Sequence, residues 1–133
     1  MLQHVLDPNR INGYHAHIYY APDTRVTAAE LREAVGARFP CRVGRWHDEA
    51  VGPHPISMYQ IAFESSEFPR IVPFLMLNRN GLSILVHPMS GDAYLDHSRY
   101  ALWLGEQQDL RLDVLKRFIE QEARSAASPA PAG

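Results

Sequence analysis

At 133 residues, 46% of them hydrophobic and 21% charged, the chain has ordinary globular usage and is long enough to bury a core without staples. Its 13 basic and 15 acidic residues leave a formal charge of -2, which gives no reason to expect nucleic acid or an anionic membrane surface as partner. A single cysteine, Cys41, excludes an intramolecular disulfide; no stretch approaches the ~20 apolar residues of a membrane span, and "MLQHVLDPNRING" lacks a signal-peptide pattern, so a soluble cytoplasmic protein is expected.

Residues 1 to 12 are polar and carry turn signals at Asp7-Pro8-Asn9 and Asn12-Gly13. "YHAHIYY" (14–20) reads as the first strand, closed by Ala21-Pro22-Asp23. A helix is predicted next: Thr27 and Glu30 form a capping box, Val26 can staple onto Leu31, and Ala28, Leu31, Val35 and Phe39 make one apolar stripe that Pro40 ends. "CRVGRW" (41–46) is a second strand weakened by Gly44, and "ISMYQIAF" (56–63) a third, rich in β-branched and aromatic residues. "FPRIVPFLMLN" (68–78) reads as a helix capped by Ser65 or Ser66, with Pro69 in its first turn and Pro73 marking a later start or a kink. Asn80-Gly81 stops it, and "LSILVHP" (82–88) is the fourth strand. Residues 91–105 read as a loop and short helix, 107–124 as an amphipathic helix with Leu110, Val114 and Phe118 on one stripe, and 125–133 as a disordered low-complexity tail.

The order is β-α-β-β-α-β, the ferredoxin-like split arrangement: an α+β fold with an antiparallel sheet, helices on one face and an extra C-terminal helix, making one domain over 1–124. In that architecture the second sheet face is left open. His15 and His17, one residue apart on the first strand, point to the same face about 7 Å apart at their Cα atoms and can converge on one metal ion; Tyr19 shares the face. His87 lies on the fourth strand, beside the first in the usual order, and can join them. His54 in "PHP" and His87 in "HP" each precede a proline, which restricts the backbone to extended conformations and fixes where the imidazole points. His97 sits beside Asp96. An isolated H-x-H also arises by chance, and surface imidazoles need no ligand; His4 and His47 are read that way. Glu64 and Asp92 are the carboxylates placed nearest the site, and their ordinary reading is a solvated strand end and a turn residue.

Other constellations fail quickly. The chain has no Gly-rich phosphate loop, no H-E-x-x-H, no C-x-x-C and no G-x-S-x-G, and its basic residues are not clustered with aromatic ones. Nothing selects Cys41 as a nucleophile. Composition and spacing give a small α+β domain with a histidine-rich site, and no reaction.

Four segments taken together, "YHAHIYY" (14–20), "GPHPISMYQIAF" (52–63), "LNRNGLSILVHPMSGD" (77–92) and "DHSRYALWLG" (96–105), resemble the DOPA 4,5-dioxygenase family, known from the pigment pathway of fly agaric and from small bacterial relatives. The resemblance implies a non-haem iron(II) enzyme that opens a catechol ring outside its two hydroxyls, with L-DOPA or a similar small catechol and dioxygen as substrates. On this chain it implies His15, His17 and His87 as iron ligands, with His54 and His97 as acid–base groups or as groups that support the ligands. Better-known mononuclear sites of this kind use two histidines and a carboxylate, so either Glu64 or Asp92 completes the site or it is all-histidine. Zinc can replace iron in purified protein. Tyr14, Tyr19 and Tyr59 can pack against the ring or donate hydrogen bonds to it, although ordinary strand packing is the better reading of all three. Two other readings stand beside the dioxygenase: a non-catalytic metal- or ligand-binding module, and a metal-free enzyme using His54 as base. A homodimer through the last helix or the open sheet face is expected, because exposed sheet edges and apolar faces are usually covered.

Overall fold

The computed structural model describes residues 4–116. In chain order the elements are β1 (Tyr14–Tyr19), α1 (Arg25–Arg38), β2 (Arg42–Val43), β3 (Met58–Phe63), α2 (Phe68–Asn78), β4 (Ile84–Pro88), a one-turn helix α3 (Ala93–Asp96) and β5 (Leu102–Leu104). They form one sheet of order β2-β3-β1-β4-β5, antiparallel at every pairing, which is the ferredoxin-like α+β fold with one strand added at the β4 edge. Of the helix predicted over 107–124, residues 112–116 are helical but 107–111 are irregular, so it starts later than expected; its part beyond 116 and the predicted disordered tail lie outside the described residues.

Alternation along the central strands divides the core in two. Ala16, Ile18, Tyr59, Ile61, Ile84 and Val86 face the helices, where they pack against Ala28, Leu31 and Val35 of α1 and Ile71, Val72 and Leu75 of α2. Full burial of each large aliphatic residue there contributes about 1.5–3 kcal/mol. The opposite face carries Tyr19, Met58 and Leu85, with Trp103 of β5 packed against them. β5 falls within 91–105, where the sequence predicts a loop and short helix: three residues are too few to show an alternation.

Two local expectations are corrected. α1 begins at Arg25, not after Thr27, because a 3-10 turn over Pro22–Thr24 runs straight into it. The Thr24 hydroxyl accepts a hydrogen bond from the Ala21 N–H, and Val26 is 72% exposed, so neither the Thr27–Glu30 box nor the Val26 staple forms. Likewise α2 is preceded by a 3-10 turn over Ser65–Glu67 and starts at Phe68 without a serine cap; Pro73 lies inside it.

The second sheet face is not open. The β2–β3 connection and the β4–β5 connection fold over it, bringing His54 and His97 above the strands and leaving His17 and His87 each only 2% exposed. Among the described residues no helix is long and apolar enough to cross a membrane.

Candidate metal centre

Register places the strand histidines. β1 pairs His15 directly with His87 of β4, and His17, two residues on, projects from the same face. The Nε2 atoms of His17 and His87 stand 3.0 Å apart. From the roof His97 lies 4.0 Å from His87 and His54 lies 4.2 Å from His17, ring centre to ring centre. Two triads have ligand atoms all within 4.8 Å of one another, His15–His17–His87 and His17–His54–His97, and His17 belongs to both.

The ring nitrogens are oriented by their neighbours. His87 Nδ1–H donates to the carbonyl of Pro88 at 2.9 Å, and His97 Nδ1–H donates to the carbonyl of Ala93 at 2.7 Å. A carbonyl only accepts, so in both neutral rings Nε2 keeps its lone pair. His54 Nδ1 shares a 2.7 Å hydrogen bond with the buried hydroxyl of Tyr19. The β4–β5 connection is tied down by Asp96, 2% exposed, whose carboxylate accepts from the backbone N–H and the hydroxyl of Ser90. Asp92 accepts from the N–H of Leu95 and starts α3.

Five imidazoles in so small a volume repel protons. Burial, reinforced by His97, holds His87 down to about 3, and burial with the same neighbour holds His54 down to about 4. His17 is pushed well below the ordinary imidazole range by burial and then by His54 and His87. His15 and His97 are lowered too, chiefly by burial. The cluster is therefore neutral at physiological pH, the state in which imidazole binds metals.

Two observations test whether a metal fits. Two ligand atoms about 2.1 Å from one ion and at right angles lie about 3.0 Å apart, the spacing of the His17 and His87 nitrogens. His17 Nδ1, across the ring, is buried without a hydrogen-bond partner, so no neighbouring group fixes that ring's tautomer and Nε2 can offer its lone pair to an ion. The donor set is all nitrogen: among the described residues neither Glu64 nor Asp92 falls in a ligand-bearing group with the histidines. An N-only set suits iron, zinc or another first-row ion.

Of the residues singled out from sequence, His15, His17, His54, His87 and His97 come together, with Tyr19 behind His54. Tyr59 does not; it faces α1 and donates to the carbonyl of Ala28. Tyr14 stacks on Phe63 and packs against the tilted ring of Phe68 on the helix side. The main chain of His47 bridges to Met58, and Cys41 is raised by burial and by Glu67, away from nucleophilic use. Asp96 and Arg42 were missed. Asp96 stands next to a histidine in sequence, but its burial shows only in three dimensions. Arg42 is set by register: it pairs with Ala62, Ala62 with His15, and His15 with His87, so the four form one row across the sheet. A cleft of about 580 Å³ opens beside this row, and His15 is the histidine that lines it. A larger hollow of about 680 Å³ lies at Tyr14, Leu95 and Leu102 and touches no histidine.

A model of the Dopa 4,5-dioxygenase family matches residues 14–114. The DOPA 4,5-dioxygenase of Amanita muscaria is 36% identical over 120 residues, covering 84% of this chain and 52% of that protein, so the chain spans about half its length. An "uncharacterized 21.2 kDa protein" of Botryotinia fuckeliana is 35% identical over 130 residues, covering 89% and 71% respectively. The crystal structure of a "putative dioxygenase" from Nostoc punctiforme superposes with a TM-score of 0.85 at 49% identity, over 86% of this chain and 99% of that one. The family match runs through every histidine of the cluster, and on it this chain belongs to the Dopa 4,5-dioxygenase family.

Proposed function

We propose that this chain is a non-haem iron(II) dioxygenase that opens the ring of a small catechol, L-DOPA or a close analogue, beside rather than between its two hydroxyls. The observation that carries the reading is the all-nitrogen cluster on the sheet of a chain from this family, neutral at physiological pH and with a cleft at one side. In this reading His15, His17 and His87 hold the metal, because strands fix them rigidly and His87 has its free nitrogen aimed inward. Iron bound there would supply Lewis acidity and the redox capacity for catechol and dioxygen to react; zinc would supply only the first.

The chain's own residues do the rest. His97, with Nδ1–H held by Ala93, presents the Nε2 lone pair and can take a catechol proton there. When Tyr19 accepts from His54 Nδ1–H, His54 presents Nε2 in the same way and holds or returns a proton at that atom. The two roof segments exclude water from His17 and His87. Of the two dimer surfaces expected, the sheet face is covered by the chain itself, so a homodimer would use the last helix; sedimentation velocity reads that out.

The deciding experiment is anaerobic reconstitution with iron(II), then air and L-DOPA, following oxygen uptake and the yellow ring-opened product, with metal-free and zinc-loaded protein in parallel. Product formed with oxygen consumed only in the iron sample supports the reading. Failure to bind iron stoichiometrically, with no catechol oxidised, moves the assignment to a binding module or to metal-free chemistry at His54.

A further inference from the structure

The row Arg42–Ala62–His15–His87 joins a guanidinium to the metal centre through a gap. Cross-strand neighbours lie about 4.8 Å apart, so Arg42 and His15 are about 10 Å apart at their Cα atoms with only the methyl group of Ala62 between them. The cleft occupies that gap, and Arg42 and His15 both line it. Glu64 and Glu67 also line it, but Glu67 is held by Arg70, and among the described residues Arg42 forms no ion pair with either.

We propose that Arg42 is a specificity-determining residue that binds a carboxylate on the side chain of the catechol, so that the preferred substrates are catechols with a carboxylate tail. This rests on the catechol reading of the site. A catechol lying in this cleft with its hydroxyls toward the metal beside His15 would run its ring over Ala62, and a two- or three-carbon tail would then bring its end to the guanidinium. Arginine presents several N–H donors in a fixed fork that matches a carboxylate, which gives the contact geometry as well as charge. Any larger side chain at position 62 would fill the slot.

The test is calorimetric titration of anaerobic iron(II)-loaded protein, where binding is read without turnover. The ligands are L-DOPA and 3,4-dihydroxyphenylpropionate, which carry the carboxylate, and dopamine and 4-methylcatechol, which do not. The expected result is that Arg42→Gln weakens the first two roughly tenfold and leaves the second two unchanged, with Arg42→Lys recovering part of the loss. Equal weakening of all four ligands, or no change in any, overturns the assignment of Arg42 while catechol binding by the wild type keeps the wider reading. If the wild type binds none of the four, the catechol reading fails and this inference falls with it.

Discussion

His17 Nε2–H donates to the bare Nε2 of His87 at 3.0 Å, a contact between one ring held inward by its own neighbour's carbonyl and another left without a partner on its second nitrogen. An ion held by both Nε2 lone pairs would replace that hydrogen bond, displacing the one proton it contains.

His17 belongs to both triads, so His17→Ala is expected to abolish stoichiometric metal binding whichever triad is used. The remaining histidines separate the two. His15→Ala and His87→Ala should lose metal, whereas His54→Ala and His97→Ala should keep it and lose roughly 10²–10⁴ in turnover. Metal content by mass spectrometry, beside a circular-dichroism melt, reads both. Metal retained in His15→Ala but lost in His54→Ala would assign the ligands to the other triad.

Acid should destabilise the metal-free protein early. His54 and His87 have folded-state values of about 4 and about 3, below the ~6.5 of a free imidazole. Below pH 6.5 the unfolded chain takes up protons that the fold refuses, so stability is full above 6.5 and falls down to those values. Each group contributes a slope of at most about 1.4 kcal/mol per pH unit. Urea midpoints should therefore drop between pH 7.5 and 5; equal midpoints would mean that the cluster protonates freely in the fold.

Tyr19→Phe removes the hydroxyl on His54 Nδ1 and leaves a buried ring nitrogen unpaired. A cost of about 1–3 kcal/mol is expected. Metal content should not change, while turnover falls because the ring can swing. Unaltered kcat together with an unaltered melt would show that the hydrogen bond positions nothing.

Asp96→Ala should release the β4–β5 connection. Its carboxylate ties the N–H and the hydroxyl of Ser90 from a nearly dry position. Loss of these charge-assisted bonds should cost about 2–3 kcal/mol and reduce turnover through displacement of His97. Limited proteolysis between Met89 and Ser98 would reveal the loosened segment; resistance equal to wild type would count against the anchoring role.

What the sequence disclosed follows from where physical signals are local. β1, β3 and β4 are legible as short runs rich in aromatic or β-branched residues bounded by turn signals, although β4 is buried on both faces, and the geometry of any strand then sets His15, His17 and Tyr19 on one face. The start of α1 was misplaced because Thr27 and Glu30 have the right spacing for a cap, while the turn at Pro22 that opens the helix leaves no periodic mark. The roof was invisible: nothing in "HDEAVGPHP" says that it folds back over β1, and only that folding brings His54 beside His17. Arg42 could not be found at all without register, since its neighbours in the row are 20 or more positions away in the chain.

The bond from His87 Nδ1–H to Pro88 has a consequence for descent. The imidazole and the carbonyl that orients it are adjacent residues, and His97 is oriented by Ala93 within a single turn of chain. Such pairs travel together: a recombination, insertion or drift elsewhere cannot separate the ring from its support. His54 relies instead on Tyr19, 35 positions earlier, and that partnership must be inherited at two places at once. Lineages of this fold should therefore lose the His54 arrangement before they lose the inward-facing nitrogen of His87.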